Sequence, residues 1–301
     1  MDTGTPRRAH SIEELAQVMG NLAPSEQLLA SSVPLAVRPS DVIITPYGKC
    51  GTTMMQQMFH QLRTARLGGD MDFDDISRVV PWIETAPALG IDVNAEQVAE
   101  PRGFKSHLDY ESLPEGARYV VTLRDPKEAF VSMYHFFSGW FFEPGTIELE
   151  EFMPVWLMGG PSGLNYFRHL LSWWPRRDEE DTLIMDYRSV IADKRGAIGR
   201  LAEHCSIDAD EAAVDLVEAR TSREFMVANA GPFADPMMRE MSEEKAGLPA
   251  NSDSAKVRAE DAERRALPQI ISEQLDAEWA RLVTPVTGHA NYAEMAADLT
   301  G

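Results

Sequence analysis

The chain has 301 residues, 44% of them apolar, and a formal charge of −20. That length and apolar fraction suit one large globular domain over 1–301 with a substantial core. The negative field argues against nucleic acid or an anionic membrane surface as partner, so any phosphate-bearing ligand requires a local basic pocket. Two cysteines, Cys50 and Cys205, form neither a disulfide framework nor a metal-ligand pair with histidines. The N-terminus lacks a signal-length apolar run, and no window approaches the ~20 apolar residues of a membrane span. A cytoplasmic protein is expected.

In chain order, Ser11 and Glu14 have capping-box spacing and predict a short helix within an N-terminal extension over 1–40. Pro24, Pro34 and Pro39 then punctuate the approach to the first strand. From there β-rich runs alternate with helical patterns. "VIIT" at 42–45 precedes a helix over 51–66, and "GFKSH" occupies 103–107. "RYVVTLR" at 118–124 precedes a helix over 126–138, and "TLIMDY" at 182–187 one over 188–204. Strands without polar alternation, most of them followed by a helix, predict an α/β fold with a parallel sheet covered on both faces. Further helices are expected over 209–219, 221–229 and 267–283, and the polar stretch 240–265 reads as a mobile loop.

The first strand–helix junction carries the chemistry. It reads "GKCGTT", Gly48 to Thr53. A helix leaves its first N–H groups unpaired, and with its dipole these attract an anion. Gly48 and Gly51 let the backbone approach such an anion, Lys49 adds charge, and Thr52 and Thr53 add hydroxyl donors. The spacing does not suit a nucleoside triphosphate, because Ile43 stands where that loop needs its first glycine and Cys50 follows the lysine.

"VIITPYGKCGTT" resembles the 5′-phosphosulfate loop of the cytosolic-type sulfotransferases, which use 3′-phosphoadenosine 5′-phosphosulfate (PAPS). "YVVTLRDPKEAFVSMYHFF", 119–137, resembles the 3′-phosphate segment of the same family. Shorter agreements at "VVPWIE", "FKSHL", "LSWWPRR", "MDYRSV" and "RTSREFM" extend the likeness over roughly 40–230. The resemblance implies a P-loop-type central parallel sheet and sulfuryl transfer from PAPS, without a metal, to a small-molecule acceptor. It implies His107 as general base, with Lys105 on the same side of its strand. Lys49 is implied at the oxygen that gains charge as the sulfuryl group departs, which leaves 3′-phosphoadenosine 5′-phosphate (PAP).

By the same resemblance Cys50, Gly51, Thr52 and Thr53 hold the 5′-phosphate, and Arg124 and Ser132 the 3′-phosphate. Met54, Tyr187 and Thr221 fall near the adenine, and Lys256 and Arg258 stand where the family completes its 3′-phosphate site. Trp82, Phe104, Phe137, Trp140 and Phe141 are the aromatic candidates for an apolar or aromatic acceptor. Cys50 replaces a serine of the family, Met54 a tryptophan and Arg223 a phenylalanine, while the family's C-terminal signatures are absent, its dimer motif included. Two other readings stay open: a nucleotide kinase, which requires Mg²⁺, and a non-catalytic protein that holds the nucleotide.

Overall fold

The computed structural model describes residues 6–22, 35–159, 163–256 and 267–299. In chain order the elements are α1 Ile12–Leu22, β1 Val42–Ile44, α2 Thr52–Thr64, β2 Gly103–Lys105, β3 Arg118–Leu123 and α3 Pro126–Phe137. Then come α4 Leu149–Met158, α5 Tyr166–Trp173, β4 Thr182–Asp186, α6 Tyr187–Ala192, α7 Lys194–His204 and α8 Glu211–Arg220. The chain continues with α9 Arg223–Ala228, α10 Pro236–Ala246, α11 Gln269–Leu282, α12 Thr284–Thr287 and α13 Tyr292–Asp298.

The four strands form one parallel sheet in the order β2-β1-β3-β4. Ile43 pairs with both Phe104 and Tyr119, and Leu123 pairs with Asp186. Side chains alternate across the sheet, so its apolar residues sort by parity into two cores. Ile43, Tyr119, Val121 and Leu123 enter one core with α3, α4, α5 and α11. Val42, Ile44 and Val120 enter the other, with α2, α7 and α8. Burial on both faces is the reason these strands read as unbroken apolar runs.

Several boundaries differ from expectation for identifiable reasons. The predicted helix over 188–204 is two helices, because Asp193 leaves helical geometry (φ −128°, ψ 76°) and its Oδ1 accepts the Gly196 N–H at 2.9 Å to start α7. Of the predicted loop 240–265, the part up to Ala246 belongs to α10. Its few apolar residues suffice, since Met237 and Met241 are both buried and α10 packs on α1. Beyond it, the Asp253 N–H donates to Gly139 O at 2.9 Å. At the first helix Ser11 Oγ accepts the Glu14 N–H at 3.3 Å, while Glu14 reaches back to the N–H of His10 instead of Ser11.

Candidate functional site

The turn after β1 is built by backbone bonds and two left-handed residues. The Cys50 N–H donates to Tyr47 O at 3.1 Å, and the Thr122 hydroxyl donates to Cys50 O at 2.5 Å. Lys49 (φ 69°) and Gly51 (φ 95°) both adopt positive φ. At Gly51 only glycine fits, since a Cβ there would stand 2.7 Å from the Tyr187 ring. Gly51 caps α2 without a side-chain bond, so the first-turn N–H groups of α2 are open to a ligand. Beside them Thr52 Oγ1 is buried and without a hydrogen-bond partner. An unmet hydroxyl, an open helix end and a lysine make a donor set that fits a phosphate or sulfate.

Cys50 differs from the expected role. Its N–H is taken by Tyr47 and its thiol is buried, with burial pushing the thiol up to about 12, so it shapes the turn and does not bind through its own donors.

Arg124 directly follows β3, and its guanidinium lies 4.8 Å from the centre of the Tyr187 ring. It donates through Nη1 to Lys49 O at 3.0 Å and through Nε to Glu128 Oε2 at 3.0 Å. Ser132, one helical turn beyond Glu128 on α3, is partly exposed. Arg124, Tyr187 and the 48–53 turn are therefore brought together as expected, with Met54 buried at the start of α2. Thr221 differs: its hydroxyl donates to Val217 O at 2.8 Å at the end of α8, and it is buried there. The hydroxyl closes a helix and is not offered to a ligand.

Lys105 and His107 lie at the carboxyl end of β2. The 81–83 segment adds to that strand, with the Lys105 N–H donating to Pro81 O at 2.8 Å and the Ile83 N–H to Lys105 O at 3.0 Å. This places Lys105 Nζ 3.7 Å from the Trp82 ring centre. Lys105 is only 2% exposed, and burial first, then the nearby Lys256 charge, bring its ammonium down to about 7. The His107 ring stands edge-on to Trp82, centroids 5.2 Å apart, and its Nδ1 lies 2.7 Å from Pro46 O. A carbonyl can only accept, so Nδ1 carries the proton and Nε2 keeps its lone pair. Burial, reinforced by the Lys105 charge, holds the imidazole well below its ordinary value. It is neutral at physiological pH.

Glu84 and Asp235 complete this end of the site and were not singled out from sequence. Glu84 Oε1 accepts the His107 N–H at 2.7 Å and the Ser106 hydroxyl at 3.0 Å, and burial raises its carboxyl. Asp235, buried and at φ 50°, pairs with Lys256. Burial alone would raise its carboxyl, but Lys256 and Lys105 outweigh that and hold it low. Lys256 thus belongs with Lys105 and Asp235, which corrects its expected place at the 3′-phosphate. Arg258 lies outside the described residues.

The aromatic candidates divide. Trp82 faces Lys105 and His107, whereas Phe104, one residue from Lys105, is fully buried in the core on the opposite side of β2. Alternation along the strand removes it from the site. Trp140 is also packed, its Nε1 donating to Ser242 Oγ at 3.1 Å and its ring stacked 4.6 Å from Phe141. Phe137 lies 4.8 Å from Phe141. This cluster meets the site through Phe136, whose ring is 5.1 Å from Trp140 and 4.1 Å from Lys49 Nζ.

Open amides, hydroxyls and lysines at the carboxyl edge of a parallel sheet, with a neutral imidazole beside them, define a P-loop-type α/β protein built for group transfer from an anionic donor. The model of the sulfotransferase domain matches residues 39–263, and the chain belongs to that family, the cytosolic-type enzymes that transfer from PAPS. It is 28% identical to sulfotransferase 1B1 of Mus musculus over 200 residues, which cover 64% of this chain and 67% of that one. Its fold is similar to that of retinol dehydratase crystallised with androsterone and the inactive cofactor PAP. There the TM-score is 0.62 at 16% identity, over 91% of this chain and 94% of that one. Mouse sulfotransferase SULT7A1 complexed with PAP gives 0.58 at 18%, over 92% of each chain. Among the described residues no helix is long and apolar enough to cross a membrane.

Proposed function

We propose that this sulfotransferase moves a sulfuryl group from PAPS to a hydroxyl or amine of an apolar or aromatic small molecule, by in-line displacement without a metal. The observation that carries the reading is the His107 tautomer: Nδ1–H is spent on Pro46 O, which leaves Nε2 unprotonated on a ring set against Trp82, the same ring that Lys105 Nζ faces. PAPS supplies the electrophilic sulfuryl group and a phosphate leaving group. The α2 amides with Thr52 and Thr53 would hold its 5′-phosphate, and Arg124 with Ser132 its 3′-phosphate. The Tyr187 ring would border the adenine. Lys49 stabilises charge on the leaving oxygen, Lys105 positions the sulfuryl group, and His107 Nε2 takes the acceptor's proton. Trp82 and Phe136 form the apolar approach for the acceptor.

Calorimetric titration with adenosine 3′,5′-bisphosphate, against adenosine 5′-phosphate and ATP, tests the donor site. A clear preference for the bisphosphate is expected, and its absence would remove the reading. Turnover with PAPS is expected to persist in excess EDTA. His107→Ala should abolish that turnover while bisphosphate affinity stays within about twofold. Unchanged turnover would assign the base to another group.

A further inference from the structure

Because Leu123 pairs with Asp186, the residues that follow β3 and β4 emerge side by side. Arg124 and Arg188 both turn onto one carboxylate: Arg124 Nε meets Glu128 Oε2 at 3.0 Å, and Arg188 meets Oε1. The other acids nearby are engaged elsewhere. Asp125 accepts the Lys127 N–H at the start of α3, and Asp186 accepts from the Tyr292 hydroxyl and from Ser189. Glu128 is thus the acid left to the two guanidiniums. Neither Glu128 nor Arg188 has a place in the reading above.

Two guanidinium forks around one set of oxygens also suit a phosphate dianion. The cluster adjoins the nucleotide site, since Arg124 lies over the same Tyr187 ring that rests on Gly51. Ser132 follows Glu128 by one turn on α3. The arrangement is also open to exchange: the Arg188 side chain is 75% exposed and that of Glu128 26%.

We propose that Arg188 is a second guanidinium of the 3′-phosphate subsite, and that Glu128 is its resident counter-anion, displaced when a 3′-phosphate arrives. The inference rests on the sulfotransferase reading of Arg124. Replacing a monoanion by a dianion between two cations favours the phosphate, and the released carboxylate regains water. Glu128 then lowers affinity and Arg188 raises it, in both cases only for nucleotides that carry a 3′-phosphate.

The test is calorimetry of the full chain and of the Arg188→Ala and Glu128→Gln variants, with adenosine 3′,5′-bisphosphate and adenosine 5′-phosphate. Arg188→Ala should weaken the bisphosphate about tenfold or more, the worth of a charged hydrogen bond, and leave the monophosphate unchanged. Glu128→Gln should tighten the bisphosphate alone. Equal losses for both nucleotides in Arg188→Ala, no loss for either, or weaker bisphosphate binding in Glu128→Gln overturns the proposal. If the wild-type chain does not distinguish the two nucleotides, the underlying reading of Arg124 falls with it. If the wild type distinguishes them and Arg188→Ala does so equally well, only the present inference falls.

Discussion

Lys105 offers a sharp test of the electrostatics at the β2 end. Its ammonium, at about 7 against an ordinary 10.5, is only about one-tenth protonated at pH 8. The 5′-phosphate of a bound nucleotide beside it would restore the charged form. Binding of adenosine 3′,5′-bisphosphate at pH 8, where its phosphates (second pKa about 6) are already dianions, should therefore take up on the order of one proton. At pH 6, where Lys105 is already charged and the phosphates still have protons to lose, that uptake should vanish or turn into a net release. Titration calorimetry in buffers of different ionisation enthalpy measures this number as the slope of observed against buffer enthalpy. Lys105→Met should abolish the uptake at pH 8. A flat wild-type slope, or a slope that survives in Lys105→Met, refutes the argument. The same shift has a sign for folding. The unfolded chain holds this proton up to 10.5 and the folded chain only to about 7, so stability gains as pH rises between those values. The penalty of the buried charge is full below about 7.

Two further predictions bear on the frame around the site. Gly51→Ala forces a left-handed alanine at about 1–2 kcal/mol and drives its methyl into the Tyr187 ring beneath Arg124. Bisphosphate affinity should fall at least tenfold in calorimetry, and an unchanged affinity would show that Gly51 does not set the cradle. Asp41 and Arg102 form a bidentate pair just before β1, at 2.9 and 2.6 Å, with both side chains buried. Asp41→Ala leaves the arginine unpaired and should cost about 3–5 kcal/mol in urea unfolding. A loss below about 1 kcal/mol would show that Arg102 finds water or another partner.

The parts of this protein that sequence made legible are those with a short-range physical signature. Continuous apolar runs marked β1 and β3, turn residues marked the 48–53 cradle, and Pro126 marked the first turn of α3. The misses are of two kinds: donors already taken by a near neighbour, and groups whose partner lies far along the chain. Cys50 and Thr221 resemble ligand residues in sequence, yet their donors are used up locally by Tyr47 O and Val217 O. Glu84 sits in "VVPWIE", where an acid in a loop reads as solvated. Only the fold turns it onto the His107 N–H from β2. Asp235 and Lys256 are separated by α10 and meet through a left-handed backbone at Asp235, which aspartate tolerates better than most residues. Phe104 is a different case: an aromatic next to Lys105 on β2 is assigned to the site or to the core only by the parity of the strand, and Phe104 lies in the core.

Parallel pairing also explains how a strongly acidic chain presents a site for anions. Lys49 follows β1, Lys105 ends β2, Arg124 follows β3 and Arg188 stands in the first turn after β4, so all four cations are delivered to one edge of the sheet. That edge is also where α2 opens its N-terminus. At a distance a phosphate compound meets the field of a chain with net charge −20. At physiological salt that field decays within about 8 Å, while Lys49, Lys105 and Arg124, which are buried or half-buried, remain effective at contact. A small nucleotide can place all its charge inside the edge. A polyanion would have to lay its remaining phosphates against the acidic exterior. On the proposed function, a charge distribution of this kind suits a small bisphosphate better than a polyanion, and it would suit an uncharged apolar acceptor approaching His107 past Trp82 and Phe136.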